Sequence, residues 1–166
     1  MTVRMLVTLC AVLGAAGAGT ARAECADPGE PGVDWRRCIL DRQDLRALDL
    51  AKAKLRDASF SRSILDTASL MGADAFRAKF LSASLSGAKL DGARLVEADF
   101  TKADLTGASL RKADLRRARL FRAVLKEADL SGAKLRGADL LNADFTGATW
   151  VDGKKVCAEG SIGKCQ

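Results

Sequence analysis

The chain has 166 residues, with 27 Lys and Arg against 21 Asp and Glu, and it contains neither His nor Tyr. Apolar residues make up 48% and aromatics only 5%, which excludes a disordered chain or a membrane bundle and demands a core assembled from many small, similar pieces. The absence of His removes the commonest general base, the Ser-His and Cys-His nucleophile pairs and any imidazole zinc site.

At the N-terminus, Arg4 precedes the apolar stretch Met5 to Ala18, and Ala21-Arg22-Ala23 supplies a small-x-small cleavage pattern. A signal peptide over residues 1–23 is therefore expected, cut after Ala23. The apolar run is shorter than a retained anchor needs. Val7-Thr8-Leu9 also lacks the small residues that a lipid-anchored Cys10 would require. The mature chain then keeps 25 Lys and Arg and 21 Asp and Glu, a charge of +4, with no transmembrane segment. A periplasmic or secreted location follows from this reading.

Four cysteines remain, Cys25 and Cys38 at one end, Cys157 and Cys165 at the other. Four cysteines allow three pairings, and the local one is favoured because it needs no contact between distant ends. The spacings do not suit zinc knuckles or a CxxC redox pair, so structural disulfides are expected. Residues 24–37, with Pro28, Gly29, Pro31 and Gly32, read as an irregular N-terminal cap in which Trp35 is a candidate plug. Residues 151–166 read as a capping tail.

Between the caps, over residues 38–150, the sequence repeats. From Leu40 to Trp150 every fifth residue is Leu, Phe or Trp except Ala75, and Ala stands two residues before each centre from Ala68 to Ala148. Composition alone favours helix. A five-residue step on a helix, however, turns about 500°, so successive centres would circle the axis and leave no apolar face. The arrangement that works is a short extended segment with Ala and Leu on one side, a two-residue turn, and stacking of successive coils about 4.8 Å apart.

These residues resemble the pentapeptide-repeat family, whose motif is A(D/N)Lxx. The resemblance covers Cys38 to Trp150 and implies an all-β, right-handed quadrilateral parallel β-helix with four pentads per coil. Pro-Gly-Val-Asp-Trp before the repeats and the cysteine-bearing tail are similar to the termini of exported members. Charge tests the coil length independently. At a 20-residue spacing, Lys54, Asp74, Arg94, Asp114 and Lys134 alternate in sign, as do Asp57, Arg77, Glu97, Arg117 and Lys79, Asp99, Arg119, Asp139. At 15 residues the alternation is lost. Phe60, Phe80 and Phe100 also fall 20 apart and are expected to stack inside. Ala75 leaves a deficit that Phe76 either fills or, standing outside, leaves open.

Candidate chemistry is sparse. Carboxylates recur beside turns, and no insertion interrupts the array to build a site, so no enzyme, cofactor or metal is expected. Gly160-Ser161-Ile162-Gly163-Lys164-Cys165 lacks the upstream Gly and the Ser/Thr of a phosphate loop. The gyrase-protecting branch of the family imitates DNA with an acidic surface, which a chain of this charge does not offer. Arg111, Lys112, Arg116, Arg117, Arg119 and Arg122 form a candidate basic patch for anionic lipid or polysaccharide of the cell envelope. Nucleic acid is disfavoured there, because Phe121 alone is available for base stacking. Leu81, Phe121 and Leu141 follow centres on one side, and Phe76 and Val96 on the next. Together they form a candidate surface for an envelope protein or for self-association.

Overall fold

A unit extended for three residues and turned for two is repeated from Pro31 to the tail. In the computed structural model, which describes residues 25–166, each centre is followed by two turn residues. The expected signal peptide over 1–23 lies outside the described residues. Except at Gln43, the amide after each turn of the array donates back to the centre's carbonyl, as from Ala53 N to Leu50 O at 3.1 Å. From Gly32 to Gly147 the second turn residue has positive φ, from 54° at Ser82 to 79° at Gly32. That is the third position of a type II turn, which glycine fits without strain. Gly87 and Gly107 take it, yet Arg77, Glu97 and Arg117 occupy it too, each at a local cost of roughly 1–2 kcal/mol.

Successive coils are joined by parallel one-residue bridges, all 20 residues apart, from Asp34 with Lys54 to Asp129 with Thr149. Around Asp104, for example, Leu85 N donates to Asp104 O at 2.7 Å and Asp104 N donates to Ala83 O at 2.9 Å. Four turns per 20 residues make a four-sided coil. Among the described residues no strand extends beyond such a bridge, because each side has only three residues before the next turn.

The first side carries centres Trp35, Leu55, Ala75, Leu95, Leu115 and Leu135, and the second Leu40, Phe60, Phe80, Phe100, Leu120 and Leu140. The third runs from Leu45 to Phe145 and the fourth from Leu50 to Trp150. Centres and the Ala two residues before them point inward, and from Leu50 to Leu130 every centre is fully buried. Small Ala is what lets four sides close on so narrow an interior. Phe60, Phe80 and Phe100 stack nearly parallel, with centroids 5.2 and 4.8 Å apart. Ser63, standing at an Ala position, is buried but satisfied, donating to Leu40 O at 2.6 Å and accepting from Gln43 N at 3.1 Å.

The coil begins earlier than the boundary expected at residue 38. Val33 and Trp35 are buried, Asp34 bridges Lys54, and Trp35 N donates to Lys54 O at 2.9 Å. Trp35 is thus the first centre of the array, and the cap proper is shorter. Cys25 is bonded to Cys38, with Cα atoms 5.5 Å apart, which holds the leading segment against the first coil. Trp35 Nε1 donates to Asp27 O at 3.3 Å, and Gly29 lies against Trp35, Leu48 and Leu50 so closely that a Cβ there would meet Leu48 Cδ1 at 2.7 Å.

At the other end the tail turns back antiparallel, bridging Thr149 with Val156 and Asp144 with Ile162. Cys157 O and Ser161 O accept from the amides of Gly147 and Phe145, both at 2.9 Å. Trp150 packs edge-on to Phe145 at 5.3 Å, and the Cys157–Cys165 bond, Cα atoms 4.9 Å apart, closes the tail. The tail thus pairs with the backbone of the third and fourth sides, while the last centres Leu135, Leu140 and Trp150 remain partly exposed.

Candidate interaction surface

The recurring Asp one residue before a centre has a task that its spacing from the turn explains. Its carboxylate reaches the amide two residues on, as from Asp99 to Thr101 N at 2.9 Å, Asp129 to Ser131 N at 2.9 Å and Asp144 to Thr146 N at 3.0 Å. These are Asx-type closures of the turn. The consensus acid is consumed in holding its own corner. Where Arg stands two residues after the Asp, the pair is forked: Arg36, Arg46 and Arg116 each place Nη2 at 2.6 Å from Asp34, Asp44 and Asp114.

The hydrogen bonds from these arginines hold the carboxyls of Asp34, Asp44 and Asp114 below the usual carboxylate range. A lowered folded pKa means stability that is present above the unfolded value, about 3.9 for Asp, and is lost as pH falls through the folded values. Thermal melts taken from neutral pH down through this range should show a falling midpoint below pH of about 4. A midpoint unchanged into strong acid would contradict the assignment.

The expected charge columns are in register, and part of each is bonded. Arg94 pairs with Asp74 at 3.2 Å, Glu97 lies between Arg77 at 2.8 Å and Arg117 at 3.5 Å, and Arg119 meets Asp99 at 3.6 Å. Asp114, however, turns to Arg116 rather than to Arg94. A second spacing, 18 residues, joins Arg56 to Asp74, Arg111 to Asp129 and Lys126 to Asp144 at 3.4–3.9 Å.

The apolar candidates do not make one stripe. Phe76 and Val96 sit at the corner between the first and second sides, and Leu81, Phe121 and Leu141 at the corner between the second and third, with Lys79, Asp99 and Arg119 across the face between. Phe76 stays outside the fully buried Ala75, half-buried beneath the guanidiniums of Arg56, Arg77 and Arg94 at 4.8–5.1 Å from its ring centre. This is a cation–π cage, and it leaves little of that ring for a partner. Leu81 and Leu141 are 40% and 61% exposed, and Phe121 between them is half-buried with Arg122 5.0 Å over its ring.

The basic cluster is dispersed around one coil. Arg111 and Lys112 stand at the corner between the fourth and first sides, Arg116 and Arg117 at the next corner, Arg119 on the second side and Arg122 at the corner after it. Arg111, Arg116, Arg117 and Arg119 each have a carboxylate within 4.0 Å. No group of His, Cys, Asp or Glu among the described residues has the arrangement of a metal site, and no buried side-chain nitrogen or oxygen lacks a hydrogen bond.

Comparison with known proteins agrees with this geometry. A family model described as pentapeptide repeats matches the chain in 8 copies, over residues 32–62, 53–90, 83–120 and 123–149. No curated protein matches. Among solved structures, the chain is similar to HetL, a pentapeptide repeat protein involved in heterocyst differentiation regulation in the cyanobacterium Nostoc, at 35% identity and a TM-score of 0.56 over 75% of this chain and 64% of that one. It is also similar to QnrB1, a plasmid-mediated fluoroquinolone resistance protein, at 21% identity and a TM-score of 0.47 over 70% of this chain and 65% of that one. The chain thus spans a little under two thirds of the length of each. With the 20-residue register on the page and the repeat model matching from residue 32 to 149, the chain belongs to the pentapeptide-repeat family.

Proposed function

We propose that this chain is an exported, non-enzymatic binding scaffold, a right-handed four-sided solenoid whose outer surface engages an envelope partner. The observation that carries the reading is the corner column that holds exposed Leu81 and Leu141 and half-buried Phe121, with Thr101 between Leu81 and Phe121, on a rod whose other corners are mostly polar. Its consensus carboxylates are tied into turns and ion pairs, which argues against acid–base work. Two disulfides at the ends support an oxidising compartment, the periplasm or the cell exterior. No helix among the described residues is long and apolar enough to cross a membrane.

A surface built on residues 111–122 alone is the weaker reading, because those side chains surround the rod and four of them are paired. Imitation of DNA is weaker still, given a basic chain. A photo-reactive residue at Phe121, with a control at Ser86, tests the proposal in the native cell. An adduct specific to Phe121, whether to protein, lipid or a second copy, supports a working surface there. Equal labelling at Ser86 would contradict it.

A further inference from the structure

Charge around the rod is not evenly spread. The second side with its two corners comprises the columns that begin at Arg36, Arg37, Ile39, Asp41 and Arg42 and recur every 20 residues to Asn142. Those columns hold 13 Lys and Arg against 5 Asp and Glu, a net +8. The equivalent columns of the opposite, fourth side begin at Arg46, Ala47, Asp49, Ala51 and Lys52, and hold 6 of each sign, net zero. The winding therefore gathers onto one sector a basicity that the linear sequence conceals.

Within that sector the two corners differ. At the first, five of the seven arginines, Arg36, Arg56, Arg77, Arg116 and Arg117, each face a carboxylate, and only Arg37 and Arg136 do not. At the second, Arg42, Arg62, Lys102 and Arg122 are all exposed, and none makes an ion pair among the described residues. They stand in one column, 20 or 40 residues apart, along one corner of the coil. At the sheet spacing, four coil steps carry it about 19 Å. Leu81, Phe121 and Leu141 lie in the adjacent column, and Ile64, 38% exposed, flanks it on the third side.

We propose that this corner, the Arg42–Arg62–Lys102–Arg122 ladder with its flanking aliphatic side chains, docks the rod lengthwise on an anionic lipid bilayer. The inference rests on the binding-scaffold reading and supplies its partner. Cations near an anionic leaflet are attracted by its surface potential, and apolar side chains beside them gain by entering the headgroup boundary. A polysaccharide or nucleic-acid backbone uses the charges equally well but has no place for Leu81 and Leu141. The corner offers no aromatic array for stacking bases. An acidic membrane interface uses both features.

Flotation of the oxidised protein with phosphatidylcholine vesicles, with and without phosphatidylglycerol, tests this directly. Binding is expected only to the anionic vesicles and should be lost in high salt. The variant Arg42→Gln, Arg62→Gln, Lys102→Gln, Arg122→Gln should bind at least about tenfold more weakly, and Leu141→Ser also more weakly. The charge-matched control Lys52→Gln, Lys89→Gln, Arg111→Gln, Lys112→Gln should stay within about twofold of the parent. Circular dichroism and melting confirm that each variant is folded. Equal binding to neutral vesicles, equal loss in the control, or retention on heparin without flotation would overturn the proposal. Those failures leave a Phe121-specific protein adduct, and hence the scaffold reading, standing.

Discussion

Phe80→Ala is expected to lower the unfolding free energy by about 3–5 kcal/mol, at the upper end of single core truncations. Phe80 is fully buried, with one ring above it and one below at 5.2 and 4.8 Å. Its removal strands both neighbours, Phe60 and Phe100, and the bridges above and below resist the collapse that would close the gap. Coils contact only adjacent coils, so the damage should also uncouple the two ends of the rod. Urea melts would show it as a fall in midpoint, and as a broadened or split transition if coupling is lost. A loss below about 1 kcal/mol would mean that the aromatic stack does not hold the middle of the array.

The second large effect belongs to the N-terminal bond. Cys25→Ser breaks the 13-residue loop to Cys38 without placing a hydroxyl in the core, since Cys25 is exposed while Cys38 is 1% exposed. Closing a loop of that size stabilises by about 2–4 kcal/mol in the chain-entropy account. The bond also keeps the leading segment over Trp35 and Leu48, so its loss bares the first coil and its unpaired backbone. A lower urea midpoint together with new high-mass species in size-exclusion chromatography is the expected result. A midpoint and elution volume equal to the parent's would show that the cap holds without its bond.

Much of this was legible in the sequence because a five-residue period admits few physical solutions. Leu at every fifth position excludes a helix, and the alternating signs of Lys54, Asp74, Arg94 and Asp114 select a 20-residue coil, which the bridges reproduce. The start of the array was harder to read. In the first coil the position two residues before each centre is held by Val33, Cys38, Gln43 and Leu48 rather than Ala, so the motif is degenerate although the backbone register is already set. The roles of the charges were also hidden. An Asp closing its own turn, or an Arg reaching 18 residues along, depends on where side chains point from a corner. The sequence leaves Phe76 either filling the space beside Ala75 or standing outside it as part of an apolar surface, and the three guanidiniums over it come from positions 56, 77 and 94, which only the winding brings together. The basic sector was obscured for the same reason, because its ladder is sampled once every 20 residues.

Every assignment of a residue to a side, and so to a surface, depends on the 20-residue coil. Ser84 and Asp104 bridge across adjacent coils of the third side, whereas Ser84 and Asp99 stand on different sides. With the native disulfides formed, Ser84→Cys with Asp104→Cys should be joined by the shortest bis-thiol reagent, and Ser84→Cys with Asp99→Cys should not, as mass spectrometry would show. Efficient linking of the 84–99 pair with none at 84–104 would mean a three-sided coil, and would contradict the architecture and every surface drawn on it.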